Sequence, residues 1–162
     1  MTTGMQPANP GVKFPPPFLF VLGLGVAWLL ETYVRRTPIL GPGARTAPRE
    51  ILAAALIIIG LILLFWGMLT FARVKTAILP MRPAALVVDH GPYRFSRNPM
   101  YAGMALAYLG AALAANSVWT LIVFPFVIAL LNRLVIKREE NYLSSAFGPE
   151  YDAYCKRVRR WI

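Results

Sequence analysis

The sequence predicts an all-α membrane protein with about four transmembrane helices, the third and fourth forming a helical hairpin, followed by a C-terminal cytosolic or interfacial helical segment. Three observations predict it. The 162 residues are 57% hydrophobic and 15% charged, too apolar for an ordinary soluble domain. Charge-free intervals recur that approach or exceed the roughly 20 apolar residues of a membrane helix, for which about 17 suffice. The 17 Lys and Arg, against 7 Asp and Glu, fall between and after those intervals rather than along one soluble face. Juxtamembrane anchoring therefore explains the net charge of +10 better than a nucleic-acid surface does.

Each element follows from local sequence. Residues 1–13 read as a disordered Pro-rich lead, and 14–162 as a single membrane domain. The first charge-free interval opens on Pro15-Pro16-Pro17, which fixes a helix start rather than breaking its middle, and gives a span at about 14–33. A lone Lys13 and the lack of a convincing small-residue cleavage site favour a retained helix over a signal peptide. Residues 51–72, a 22-residue run of mostly Leu, Ile and Ala between Arg49-Glu50 and Arg73, form the second span. The third interval, 98–132, is 35 residues, too long for one crossing. It divides at the polar pair Asn116-Ser117 into spans at about 99–115 and 118–136.

With four spans, the Lys and Arg distribution sets the orientation. One face carries Lys13, five residues from Arg73 to Arg97 and seven from Arg133 onward; the other carries Arg35, Arg36, Arg45 and Arg49. Thirteen against four puts both termini in the cytosol, with the 89–103 loop on the same face as the C-terminal tail. The tail reads as a helix at about 137–147, stopped by Gly148-Pro149. A second helix follows at about 150–161. On a helical projection Tyr151, Tyr154, Cys155, Val158, Trp161 and Ile162 share one arc, with Asp152, Lys156, Arg157, Arg159 and Arg160 opposite, as in a helix lying in the lipid headgroup region. The single cysteine, Cys155, excludes an intramolecular disulfide framework and a metal site built on paired thiolates, so no metal centre is expected.

Two groups of residues invite a functional reading. Gly91-Pro92 and Asn98-Pro99 are turn signals; Asn98 can cap the third helix, Pro99 can open it, and Gly103 allows close backbone approach. Arg94 and Arg97 are not needed by such a turn. Beside a helix N-terminus, where the macrodipole attracts anions, they suggest a carboxylate or phosphate site. His90 reads as a loop histidine rather than a base. In the tail, Glu140 lies on an apolar stripe with Ile136, Leu143 and Phe147, and Glu139 on one with Val135, Tyr142 and Ala146. A buried carboxylate without a partner costs several kcal/mol. Glu140 therefore calls for Arg94, Arg97, Arg133, Lys137, Arg138 or a ligand, unless it only pairs with Lys137 along its own helix.

GPYRFSRNPMYAG, followed by REENYLSSAFGPEYDAYCKRVRRWI, resembles the integral membrane methyltransferases related to isoprenylcysteine carboxyl methyltransferase and phospholipid methyltransferase, over roughly residues 75–162. The resemblance implies a cytosol-facing pocket for S-adenosylmethionine between the loop and the helix after the hairpin. It assigns His90, Gly91, Tyr93, Arg94, Arg97, Asn98, Pro99, Tyr101, Gly103, Glu139 and Glu140 to cofactor binding, with Arg97, Glu139 and Glu140 also catalytic. Many relatives carry His where this chain has Asn98, which can donate a hydrogen bond but is neither acid nor base near neutral pH, so proton transfer is not expected there. The implied function is S-adenosylmethionine-dependent methyl transfer to a lipophilic acceptor, a carboxylate, amine or thiol, reached from the membrane lipids. The alternatives are an NADPH-dependent reductase of the sterol-reductase type, whose larger anionic ligand asks for more basic contacts, and a non-enzymatic lipid-binding protein. The latter leaves Glu140 and the paired arginines without a task.

Overall fold

A computed structural model describes residues 10–12, 14–41, 47–74 and 84–161. The described residues are helical, with one isolated antiparallel bridge between Pro38 and Ser117 and no strand. Helices α1 (Pro16–Tyr33), α2 (Ala47–Arg73), α3 (Pro99–Ala115) and α4 (Val118–Leu131) form the membrane bundle. A π-helical turn, Asn132–Ile136, carries α4 without a break into α5 (Lys137–Phe147), and α6 (Pro149–Arg157) follows. The lead expected over 1–13 lies mostly outside the described residues, but Val12 is 5% exposed and packs into the core.

Among the described residues three helices are long and apolar enough to cross a membrane: Pro16–Tyr33, Ala47–Arg73 and the continuous Val118–Phe147; α3, at 17 residues, is a shorter apolar helix. The outer faces support the membrane assignment. Val21, Trp28, Ile51, Ile62, Phe65, Ile122 and Phe126 are all exposed, an arrangement stable only where the surroundings are themselves apolar. Helices of this length with such outer faces mark an integral membrane protein.

Helix packing explains how the loop and tail are brought together. In lipid there is no hydrophobic drive between helices, so close association depends on small residues that let backbones approach. The antiparallel α2 and α3 meet at Gly60 and Gly103, where a Cβ added to either would come within 2.5 Å of the other's carbonyl oxygen. Ala53 and Gly110 continue the seam toward the far end. On the other side of the bundle, Leu19 and Phe20 of α1 meet Tyr101 and Tyr108 of α3 and Val127 and Leu131 of α4 in one buried cluster.

The turn between α3 and α4 falls at Asn116-Ser117. Asn116 adopts the left-handed conformation (φ 53°) that Asn tolerates better than most residues, and its amide clasps Leu40 by accepting from its N–H (3.0 Å) and donating to its carbonyl (2.9 Å). Ser117 Oγ then caps α4 by accepting from Thr120 N. These bonds fix one end of the bundle. The loop, the acidic helix and the tail gather at the other.

Beyond α5 the chain departs from the expected single helix over 150–161. Helix α6 ends at Arg157, and Val158 is extended (φ −122°, ψ 129°). Its apolar face is not spread in the lipid interface. Tyr151, Tyr154 and Val158 are buried against Val87, Leu143 and Phe147. The physical cause is a set of long-range hydrogen bonds. Arg159 O accepts from Arg97 N (2.9 Å), while Arg160 O accepts from Asn98 Nδ2 (3.0 Å) and Ser96 Oγ (3.4 Å). The last residues thus form a strap bonded to the loop before α3, which their own helical propensity could not signal.

Candidate functional site

The cleft between the 84–101 segment, α5 and α6 holds about 840 Å³ of empty space, open mouth included. Of the residues singled out in the sequence, Tyr93, Arg97, Asn98, Pro99, Tyr101, Glu139 and Glu140 line it. Four do not. His90 is exposed. Arg94 is exposed with its guanidinium 5.0 Å from the ring centre of Phe95. Gly91 turns the chain at φ 60° against Thr70, and Gly103 faces α2. Gly91 and Gly103 make room for backbone and neighbouring helix, so the site depends on them through the fold.

The two acids occupy different environments. Glu140 is held by Arg160 through two charge-assisted bonds, Nε to Oε1 at 2.9 Å and Nη2 to Oε2 at 2.6 Å, and Arg97 Nη1 lies 3.3 Å from Oε1. The partner required by its apolar stripe is therefore double, and one member comes from the strap. A helix continued to residue 161 would put Arg160 on the outward basic face; with α6 ending at Arg157 and Val158 extended, its side chain turns inward to Glu140. Glu139 lines the cleft with no cation in ion-pair range among the described residues. Tyr101 OH bonds its two oxygens at 2.9 and 3.0 Å. Burial pushes the Glu139 carboxyl up to about 8; the Tyr101 bond opposes the shift and the adjacent Glu140 charge adds to it.

The loop side supplies donors. The Tyr93 hydroxyl and Arg97 Nε are buried with no hydrogen-bond partner among the described residues. Burial pushes the Tyr93 hydroxyl well up, so it remains a proton donor throughout the neutral range. Tyr93 is fixed from behind by Tyr154 OH, which donates to its carbonyl at 2.8 Å, and by Phe71, whose ring centre lies 4.9 Å from its own. Arg97 is steered by its Nη1, which also lies 2.7 Å from Cys155 Sγ. Asn98 sits at the cap position of α3, yet its side chain makes no cap bond and instead ties Arg160 O.

One wall is thus donor-rich, the opposite wall carries an acid with no counter-ion among the described residues, and aromatic rings lie between. The residues that sequence reasoning missed are Arg160 and the walls made by Tyr151 and Tyr154. The tyrosines had been recognised as an apolar face but assigned to lipid. Among the described residues no group of three or more His, Cys, Asp or Glu converges in metal-binding geometry.

Comparison with known proteins agrees with this architecture. Residues 48–150, which include α2, the loop, α3, α4 and α5, match the family described as phospholipid methyltransferase. The chain belongs to the phospholipid methyltransferase family. Within the span of this match lie Arg97, Glu139 and Glu140, while Arg160 and the strap fall beyond it. The chain is 33% identical over 73 residues to the protein-S-isoprenylcysteine O-methyltransferase of Schizosaccharomyces pombe, covering 45% of this chain and 31% of that protein. It is also 35% identical over 72 residues to a cobalt-zinc-cadmium resistance protein of Cupriavidus metallidurans, 44% of this chain and 33% of the relative. A nickel-cobalt-cadmium resistance protein of Alcaligenes xylosoxydans is 30% identical over 108 residues, 66% of this chain and 49% of its own length. The chain thus spans about a third to a half of these three relatives. No solved structure matches. Family membership and the methyltransferase relative point to a membrane methyltransferase.

Proposed function

We propose that this protein transfers a methyl group from S-adenosylmethionine to a lipophilic acceptor at the cytosolic face of a membrane. The observation that carries the reading is the pairing, within one cleft, of donors on Tyr93 and Arg97 that have no partner among the described residues with Glu139, which has no counter-ion among them. S-adenosylmethionine bears a carboxylate, an ammonium and a flat base, and these residues fit all of them. Tyr93 OH and Arg97 Nε would hold the carboxylate through charge-assisted bonds. Glu139 would hold the ammonium. The rings of Tyr93, Tyr151 and Tyr154 offer apolar surface to the base.

When bound, the cofactor supplies an electrophilic methyl group on a sulfonium whose positive charge is lost in the transition state. This chain's residues contribute position and dryness. In-line placement of the nucleophile can lower the barrier by roughly 7–11 kcal/mol without an acid or base. Exclusion of water by the strap and the aromatic walls strengthens every charge interaction inside. A carboxylate acceptor has no proton to lose. An amine or thiol acceptor does, and Glu139, once ionised, is the carboxylate placed to take it. Glu140, with both oxygens engaged by Arg160, acts as a positioning residue that closes the strap.

Calorimetric titration of the detergent-purified protein with S-adenosylmethionine, and separately with NADPH, tests the reading. Micromolar-range binding of the first and none of the second is expected. Folded protein that ignores S-adenosylmethionine would refute it. Incubation of membrane lipid extracts with methyl-labelled donor then identifies the acceptor by a mass gain of one methyl group.

A further inference from the structure

A second cleft lies at the opposite end of the bundle, between α1 and the α3–α4 hairpin, with about 1040 Å³ of empty space, mouth included. The nearest α3 residues lining the two clefts, Tyr101 and Ala111, stand about 15 Å apart along the helix at a rise of about 1.5 Å per residue. Its walls combine Leu24, Trp28, Glu31 and Arg36 of the α1 segment with Ser117 and Thr120 of the hairpin. Glu31 is the informative member. Ser117 Oγ donates to its Oε1 at 2.7 Å, and no cation lies within ion-pair distance of it among the described residues. Ser117 and Thr120 are 3% and 5% exposed, so one side of the acid is built into the fold. Arg36, beyond the end of α1, lines the same cleft and forms no ion pair among the described residues.

The depth of the cleft is marked by its surroundings. Glu31 lies two residues before the end of α1, Trp28 lines the cleft one turn earlier, and Trp119 of α4 is tied to the segment just after α1. Trp119 Nε1 donates to Arg35 O at 2.7 Å. Aromatic rings with a polar edge collect at the membrane–water boundary. Below them the exposed wall is apolar, including Leu24 and Val21. An unpaired acid, a separate arginine, an aromatic side wall and an apolar floor correspond to the parts of one kind of molecule.

We propose that this cleft binds the head of a zwitterionic phospholipid carrying an ammonium, such as phosphatidylethanolamine, from the leaflet opposite the first cleft. Glu31 takes the ammonium, Arg36 the phosphate, Trp28 the side of the headgroup, and the acyl chains run down past Leu24. Glu31 disfavours anionic lipids such as phosphatidylglycerol, whose heads offer it no positive partner. The site is independent of methyl transfer, since no residue is shared between the two clefts.

The test is native mass spectrometry of the purified full chain equilibrated with equal amounts of phosphatidylethanolamine and phosphatidylglycerol. The wild type should retain the first over the second by about fivefold, a difference of the size one surface charge contributes. Glu31→Gln should reduce that preference to less than about twofold, whereas Arg36→Gln, which removes the partner of a phosphate that both lipids carry, should lower retention of each by about fivefold and leave the preference in place. Arg36→Gln leaves the Ser117–Glu31 bond in place, so it remains informative should Glu31→Gln disturb the hairpin. Equal retention of both lipids by the wild type, or undiminished retention of both by Arg36→Gln, overturns the proposal. Displacement of the lipid by free phosphoethanolamine at the same concentration overturns the lipid assignment in favour of a soluble ligand. None of these readouts depends on S-adenosylmethionine binding.

Discussion

Arg160 grips Glu140 from 20 residues away in sequence, with its Nε and Nη2 on separate carboxylate oxygens at 2.9 and 2.6 Å. Arg97 stands on the same carboxylate, so one acid ties together the loop before α3, the acidic helix and the C-terminal strap. The strap's backbone is bonded to residues 96–98 as well, which makes closure of the cleft a joint property of side-chain charge and main-chain pairing.

Removing one end of that pair should loosen the strap before it damages the bundle. In Arg160→Ala, residues 158–161 are expected to gain hydrogen-exchange rate while α1–α4 keep theirs. Affinity for S-adenosylmethionine should fall by about tenfold to a hundredfold, since breaking a fully buried pair costs roughly 3–5 kcal/mol and this one is partly exposed. Arg160→Lys restores charge but not the two-pronged geometry and should recover part of the loss. Unchanged exchange in the strap of Arg160→Ala would show that the main-chain bonds hold it alone.

Glu139 gives the fold a pH dependence of known sign. Its carboxyl ionises near 4.5 when unfolded and near 8 when folded, so the folded protein binds the extra proton between those values. Stability from this group is fully present below about 4.5 and is lost as pH rises through about 8. The thermal midpoint in detergent should therefore decline across that window. In Glu139→Gln the decline should flatten, with the midpoint near pH 8 at or above that of the wild type. A variant retaining the full wild-type slope would assign the titration to another group.

The same proton should report cofactor binding. At pH 7 the acid of the empty cleft is mostly protonated, and an ammonium placed beside it favours the ionised form. Binding of S-adenosylmethionine at pH 7 should therefore release up to about one proton. Calorimetry in buffers of different ionisation enthalpy measures this directly, and Glu139→Gln should abolish the release. Binding without proton release in the wild type would mean that the ammonium is held elsewhere.

How much of this was legible in the sequence depended on whether the determining interaction was local. The hairpin at Asn116-Ser117 was readable because its causes sit at the turn: a residue that tolerates left-handed backbone, then a hydroxyl cap. The start of α3 at Pro99 was readable for the same reason. The end of α6 was not. Val158 fits a helical arc as well as an extended strap, and the choice is made by Ser96, Arg97 and Asn98, about 60 residues upstream. That misplacement turned Arg160 toward lipid and hid the second partner of Glu140. Pairing the acids with the loop arginines was sound in direction, since Arg97 reaches Glu140, but Arg94 was indistinguishable from Arg97 without the backbone turn that sends it outward.

Gly103 separates packing from chemistry. It stands inside the motif that suggested cofactor binding, yet it contacts Gly60 and Leu64 of α2 rather than the cleft. A methyl group there meets the Gly60 carbonyl oxygen at 2.5 Å, a clash with main chain that no side-chain rotation relieves. Gly103→Ala should destabilise the α2–α3 pair by about 1–3 kcal/mol, the usual cost of overpacking. The thermal midpoint should drop, while S-adenosylmethionine affinity per folded molecule, measured below the transition, stays within about twofold of wild type. Gly60→Ala should act alike, and the double variant should cost less than the sum because both methyl groups force the same separation of the helices. A selective loss of affinity at an unchanged midpoint would return Gly103 to the cofactor site.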